Sequence, residues 1–167
     1  MAAPLRPLVL LLLPQRLEQF ALREQAERLL EAEDVVAVDP PRIAYGALAH
    51  LPIAVAQAMA GRVARRLVKV LRRNGDRPRV VVLLDPVQAL HGRALLHLVP
   101  ECELWYGRPD LDIAHPGAGP HYRERLVQLD EAAARLAART FPLDELGTLE
   151  AAPAGGRPQA GTGTAGS

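Results

Sequence analysis

Aromatic residues are scarce, at 4% of the chain, so the stacking platform that single-strand nucleic-acid binders use is missing. Cysteine occurs once, as Cys102, which excludes an internal disulfide and a thiolate zinc site and fits a reducing, cytoplasmic setting. Charge of one sign is also missing: the net charge is +1, so nothing pulls the chain as a whole toward nucleic acid or acidic partners. Lysine is nearly absent, with Lys69 alone among many arginines, a pattern of GC-rich coding. No apolar run is long enough to span a bilayer. Leu8 to Leu13 is the nearest approach; it is short for a signal-peptide core, and Pro14-Gln15-Arg16 follows it in place of a small-residue cleavage site. The same tripeptide stands where a dinucleotide-binding loop would need glycines, which argues against NAD or FAD, and no cofactor is expected. A Gly-x-Ser-x-Gly elbow is absent, so a serine hydrolase has no support. The histidines, His50, His91, His97, His115 and His121, show no helical metal-site spacing, so no metal is expected and they read as surface or satisfied side chains.

What remains is an apolar, alternating chain. Its 167 residues are 49% hydrophobic, enough for one domain with a core. Val80 to Leu84 is a continuous apolar run halted by Asp85-Pro86, the pattern of a strand buried on both faces of a parallel sheet. Leu104 to Tyr106 is a shorter strand, and Val87 to Val99 between them has the length of a crossover helix. Earlier, Leu8 to Leu13 reads as the first strand, Gln15 to Glu31 as a helix and Val35 to Val38 as the second strand. Ile53 to Arg73 reads as a long helix with Ala56, Ala60, Val63, Leu67 and Val70 inward, stopped by Asn74-Gly75-Asp76. After a Pro/Gly-rich loop over His115 to Pro120, Tyr122 to Arg139 reads as a helix and Thr140 to Leu143 as a last strand. This order predicts an α/β fold: a single Rossmann-like, doubly wound, mostly parallel sheet with helices on both faces, over residues 1–150. Residues 151–167, composed almost wholly of Ala, Gly, Pro and Thr, are expected to be a disordered low-complexity tail.

In open parallel sheets ligands sit beyond the carboxyl ends of the strands, which selects the candidate site residues. Asp85 could act as a general base or hydrogen-bond a hydroxyl; as an Asp before Pro it could equally cap the helix that follows. Gln88 could contact substrate or be a solvated first-turn residue. Trp105 and Tyr106 could line a sugar site, though alternation turns one of them into the core. Arg108 with Asp110 could bind a phosphate or hydroxyl, or form an exposed ion pair of little energetic weight. Gln15, after the first strand, shares this edge. Separately, Arg62, Arg65, Arg66, Lys69 and Arg73 make a basic helix face, either a solvated outer surface or a membrane-facing patch for anionic lipid.

Several of these residues occur together in a recognisable order. Asp85-Pro86 with Gln88 is followed by Glu103-Leu104-Trp105-Tyr106-Gly107-Arg108 with Asp110, a Leu/Ala-rich helix, and then Thr140-Phe141 before Asp144-Glu145-Leu146. This resembles the N-terminal, acceptor-side half of bacterial glycosyltransferases of the GT-B type (family 1 or family 4-like). The resemblance covers most of Leu8 to Glu150 and implies transfer of a sugar from a nucleotide-sugar donor. Asp85 is the catalytic candidate, and Gln15, Gln88, Trp105, Tyr106, Arg108 and Asp110 are the substrate-binding candidates. GT-B enzymes have a second, donor-binding domain. The resemblance therefore implies a second domain on another chain, a sugar or lipid-linked acceptor, possible peripheral membrane contact, and no nucleic acid. The alternative is a non-catalytic α/β interaction module on the same fold.

Overall fold

The structure, a computed structural model, describes residues 6–149 except 74 and 76; the expected tail over 151–167 lies outside the described residues. Five strands form one all-parallel sheet in the order β2-β1-β3-β4-β5: β1 (Leu8–Leu12), β2 (Val35–Val38), β3 (Arg79–Leu83), β4 (Glu103–Arg108) and β5 (Arg139–Pro142). Around it run α1 (Arg23–Leu30), α2 (Tyr45–His50), α3 (Ile53–Arg72), α4 (Ala89–Leu98), α5 (Leu111–Ala114) and α6 (Pro120–Leu136), with 3₁₀ turns at Leu17–Gln19, Pro86–Gln88 and Leu143–Thr148. The chain is α/β and doubly wound. Strand order reverses between β1 and β3, where Val9 pairs with Val80 and Leu11 with Val82, so the crevice that such sheets offer to ligands lies at the carboxyl ends of these two strands.

Alternation along the strands divides the core in two. Leu8, Leu10, Leu12, Val81, Leu83, Leu104 and Tyr106 face one way and pack with α3, α4 and α6. Val9, Leu11, Leu13, Val80, Val82, Leu84, Trp105 and Phe141 face the other, against α1 and the last 3₁₀ turn. Both faces are covered, which is why β1 and β3 read as unbroken apolar runs rather than alternating ones. Helix α3 buries Ala56, Ala60, Ala64, Leu67, Val68 and Leu71, a stripe centred on small residues; the expected Val63 and Val70 flank it half-buried. Gly92 brings α4 equally close to the sheet: a Cβ there would meet Leu83 Cδ1 and Leu104 Cδ1 at 3.0 Å.

Several boundaries differ from the pattern-based expectation. The helix expected over Gln15 to Glu31 splits, because Phe20 adopts extended geometry (φ −74°, ψ 128°) and buries its ring in the second core cluster before α1 begins. Helix α6 starts at Pro120, whose fixed φ and missing N–H suit a first helical position. It ends at Leu136 because Ala137 is extended (ψ 135°) and Ala138 N–H donates to the Leu104 carbonyl at 2.8 Å, which starts the pairing of β5 on β4. The stop after α3 uses Gly75 in the left-handed region (φ 72°), where a Cβ would be strained. No helix among the described residues is long and apolar enough to cross a membrane.

Candidate functional site at the carboxyl edge of the sheet

Asp85 follows β3 in extended geometry (φ −144°, ψ 143°), and its Oδ1 accepts the Val87 N–H at 2.9 Å, a side-chain cap with Pro86 at the first position of the turn. That bond uses one oxygen. The other, Oδ2, lies 3.2 Å from Nε2 of His115, in the loop after α5, and both side chains are mostly buried. The His115 ring meets the Tyr122 ring edge-on at 6.0 Å, and His50, ending α2, stacks on the same tyrosine at 4.4 Å and 15°. Burial raises the Tyr122 hydroxyl pKa, and the Asp85 charge adds to the rise. Three stretches distant in sequence thus converge: the end of β3, the end of α2, and the loop after α5 with the first turn of α6.

Gln88 lies at the switch point itself. It is fully buried; its Oε1 accepts the Leu84 N–H at 2.7 Å, and its Nε2 donates to the Leu12 carbonyl at 3.0 Å. One side chain therefore ties the carboxyl end of β1 to that of β3. Gln88 is neither a solvated first-turn residue nor exposed to a ligand, because strand ends that run out of ladder partners need this amide inside. Beneath it, burial pushes the Tyr45 hydroxyl up to about 12, with the Gln88 hydrogen bond opposing the rise.

Trp105 and Tyr106 are both inside, one on each face of the sheet, so neither ring presents itself to a sugar. Trp105 Nε1 donates to Glu103 Oε1 at 2.6 Å, and the Arg139 guanidinium lies 5.0 Å over its ring. The Tyr106 hydroxyl donates to Asp130 Oδ1 of α6 at 2.7 Å. Arg108 binds Asp130 as well, through Nε (2.9 Å) and Nη2 (2.6 Å) to Oδ2, rather than pairing with Asp110. Asp110 instead caps α5 by accepting the Asp112 N–H at 2.9 Å. Asp130 is buried, yet three donors satisfy its carboxylate, and its bonds raise the Arg108 pKa. Burial drives the Tyr106 hydroxyl pKa up, and the Asp130 contact and the charge of Asp85 add to the rise. Half of the Arg108 side chain remains exposed there. Gln15 is exposed just beyond β1.

The Asp85–His115 pair has a definite chemical capacity. With Nε2–H donating to the carboxylate, the tautomer is set and Nδ1 is left as a proton acceptor. A hydroxyl brought to Nδ1 could lose its proton to the ring, with Asp85 stabilising the imidazolium that forms. Covalent acyl chemistry has no candidate nucleophile nearby: no serine occurs among the described residues, and Cys102 is buried before β4 with its thiol pushed up to about 11. Among the described residues no group of three or more His, Cys, Asp or Glu side chains could hold a metal ion. The basic residues Arg62, Arg65, Arg66, Lys69 and Arg73 all project from α3 and its end into solvent, away from this cluster in sequence and element.

Sequence reading missed His115, Tyr122, His50 and Asp130. His115 carried one usable signal, its place in a loop after a strand whose carboxyl end faces the edge; the others sit in helices with no pattern that marks them. No protein-family model matches the chain, and neither does any curated protein or solved structure.

Proposed function

We propose that this chain is the acceptor-side domain of a GT-B-like sugar transferase, in which the Asp85–His115 pair takes the proton from an acceptor hydroxyl. The 3.2 Å contact at the carboxyl end of β3 carries this reading. The Glu103-Leu-Trp-Tyr strand and the Asp85-Pro86 turn supply the substrate class by resemblance. In the step, the acceptor O–H proton moves to His115 Nδ1 as the oxygen bonds to the sugar's anomeric carbon and the bond to the donor phosphate breaks. The donor, a nucleotide-sugar, would be held by a second domain on another chain. Arg108, fixed by Asp130 and half-exposed, would steady a polar group of either substrate. The basic face of α3 would bring the domain to anionic lipid carrying a lipid-linked acceptor, which liposome co-sedimentation checks.

The test is transfer from a panel of nucleotide-sugars by the purified chain, alone and with the protein encoded beside it. Transfer should require the neighbour, and His115→Asn or Asp85→Asn should lower its rate by about 10²–10⁴-fold, the usual contribution of a positioned base. Unchanged rates in both variants would refute the assigned roles. One observation favours a second reading, a non-catalytic interaction module: Gln88, Trp105 and Tyr106 are all occupied within the fold. Absence of donor or acceptor binding in every combination would establish that alternative over the first.

A further inference from the structure

A groove lies apart from the carboxyl-edge cluster, between the segment after β2 and the outer side of α3. It is open, about 220 Å³ in volume, and is lined by Pro41, Arg42, Ile43, Leu48, Met59, Arg62, Val63 and Arg66. The α3 contribution is ordered. Met59, Arg62, Val63 and Arg66 stand at i, i+3, i+4 and i+7, one stripe of the helix, next to the stripe that packs on the core. Across from it, Ile43 leaves 42% of its surface exposed and Leu48 is buried. The lining is therefore aliphatic with an arginine rim. Arg42, Arg62 and Arg66 make no ion pair with a carboxylate among the described residues, whereas Arg23, Arg77, Arg79, Arg108 and Arg123 each do.

We propose that this groove binds a single-chain amphipathic anion, with its alkyl chain along Ile43, Met59 and Val63 and its phosphate or carboxylate head held by Arg42, Arg62 and Arg66. Charge complementarity selects the head: guanidinium forks without internal partners match planar or tetrahedral oxyanions. The lining selects the tail. It contains no aromatic ring on which a base or sugar could stack, while aliphatic side chains left exposed in a concavity gain by covering methylenes. None of the groove residues belongs to the Asp85–His115 cluster, so the proposal does not depend on the sugar-transfer step, although Arg62 and Arg66 also belong to the basic face of α3.

The experiment is calorimetric or fluorescence titration of the full chain with monomeric decyl phosphate below its aggregation concentration. Decanoate, decanol, inorganic phosphate and phosphatidylglycerol vesicles serve as comparison arms. Saturable one-to-one binding of decyl phosphate or decanoate is expected, at least tenfold tighter than decanol or inorganic phosphate. Affinity should rise about fourfold for each methylene the groove covers in a hexyl-to-decyl series. Arg62→Gln with Arg66→Gln should weaken binding at least tenfold, and Ile43→Ser should flatten the chain-length series. These positions are exposed, so the variants should fold, which circular dichroism checks. Arg72→Gln, further along α3 and outside the groove, should leave affinity unchanged. Four results overturn the proposal: no saturable binding; inorganic phosphate binding as tightly as decyl phosphate; an equal loss with Arg72→Gln, which means diffuse surface charge; or binding to vesicles without binding of the monomeric amphiphile.

Discussion

His91 should make the fold acid-sensitive in a range where most side chains do not titrate. It sits in α4, fully buried, with neither ring nitrogen in hydrogen-bonding geometry, and its ring packs edge-on against Tyr45 at 5.1 Å. Burial lowers its pKa to about 4, with the Val87 carbonyl acting in the opposite sense. An unfolded histidine titrates near 6.5. The unfolded chain therefore holds more protons between these two values, and stability falls as pH drops through that window, being fully present at pH 7. The gap between these two values corresponds to about 3 kcal/mol in total, most of it lost by pH 4.5. His91→Leu removes the titration and two unsatisfied buried nitrogens while nearly keeping the volume, so its stability at pH 7 should equal or exceed that of the parent. Urea unfolding of both proteins at pH 7 and pH 4.5 tests this. The parent should lose about 2 kcal/mol more than the variant, roughly 1 M in midpoint for a domain of this size. Carboxylates protonate equally in both proteins and cancel in the difference. Parallel pH dependences, or an NMR titration placing the His91 pKa near 6.5, would refute the reasoning.

Gln88→Leu should destabilise the fold by about 3 kcal/mol in urea, because it orphans the buried Leu84 N–H and Leu12 carbonyl together; a loss below about 1 kcal/mol would mean that water replaces the amide. In a double-mutant cycle, Tyr106→Phe and Asp130→Ala should couple by about 1–3 kcal/mol, since either alone leaves a buried polar group without its partner. Additive effects would separate the two side chains energetically. Gly92→Val should cost about 2 kcal/mol by overpacking against Leu83 and Leu104, read as a lowered Tm in calorimetry.

Local pattern determined much of this protein. The apolar runs at Leu8 and Val80, the punctuation at Asp85-Pro86 and Asn74-Gly75-Asp76, and the alternation of strand and helix patterns are short-range signals, and they led to a doubly wound parallel sheet with its carboxyl edge as the place to look. Boundaries shifted where a long-range contact outweighed local propensity, as when Phe20 broke a helix to reach the core. Side-chain roles were less legible. Whether Gln88 faces solvent or joins two strand ends depends on Leu12, 76 residues away, and whether Arg108 pairs with Asp110 or Asp130 depends on where α6 is laid against β4. His115 reaches Asp85, and Tyr122 meets both His115 and His50, only once three helices pack along one edge. Burial and periodicity repeat every two to four residues and can be read from a window. Polar partnership is set by contacts between distant segments, and only the tertiary structure decides it.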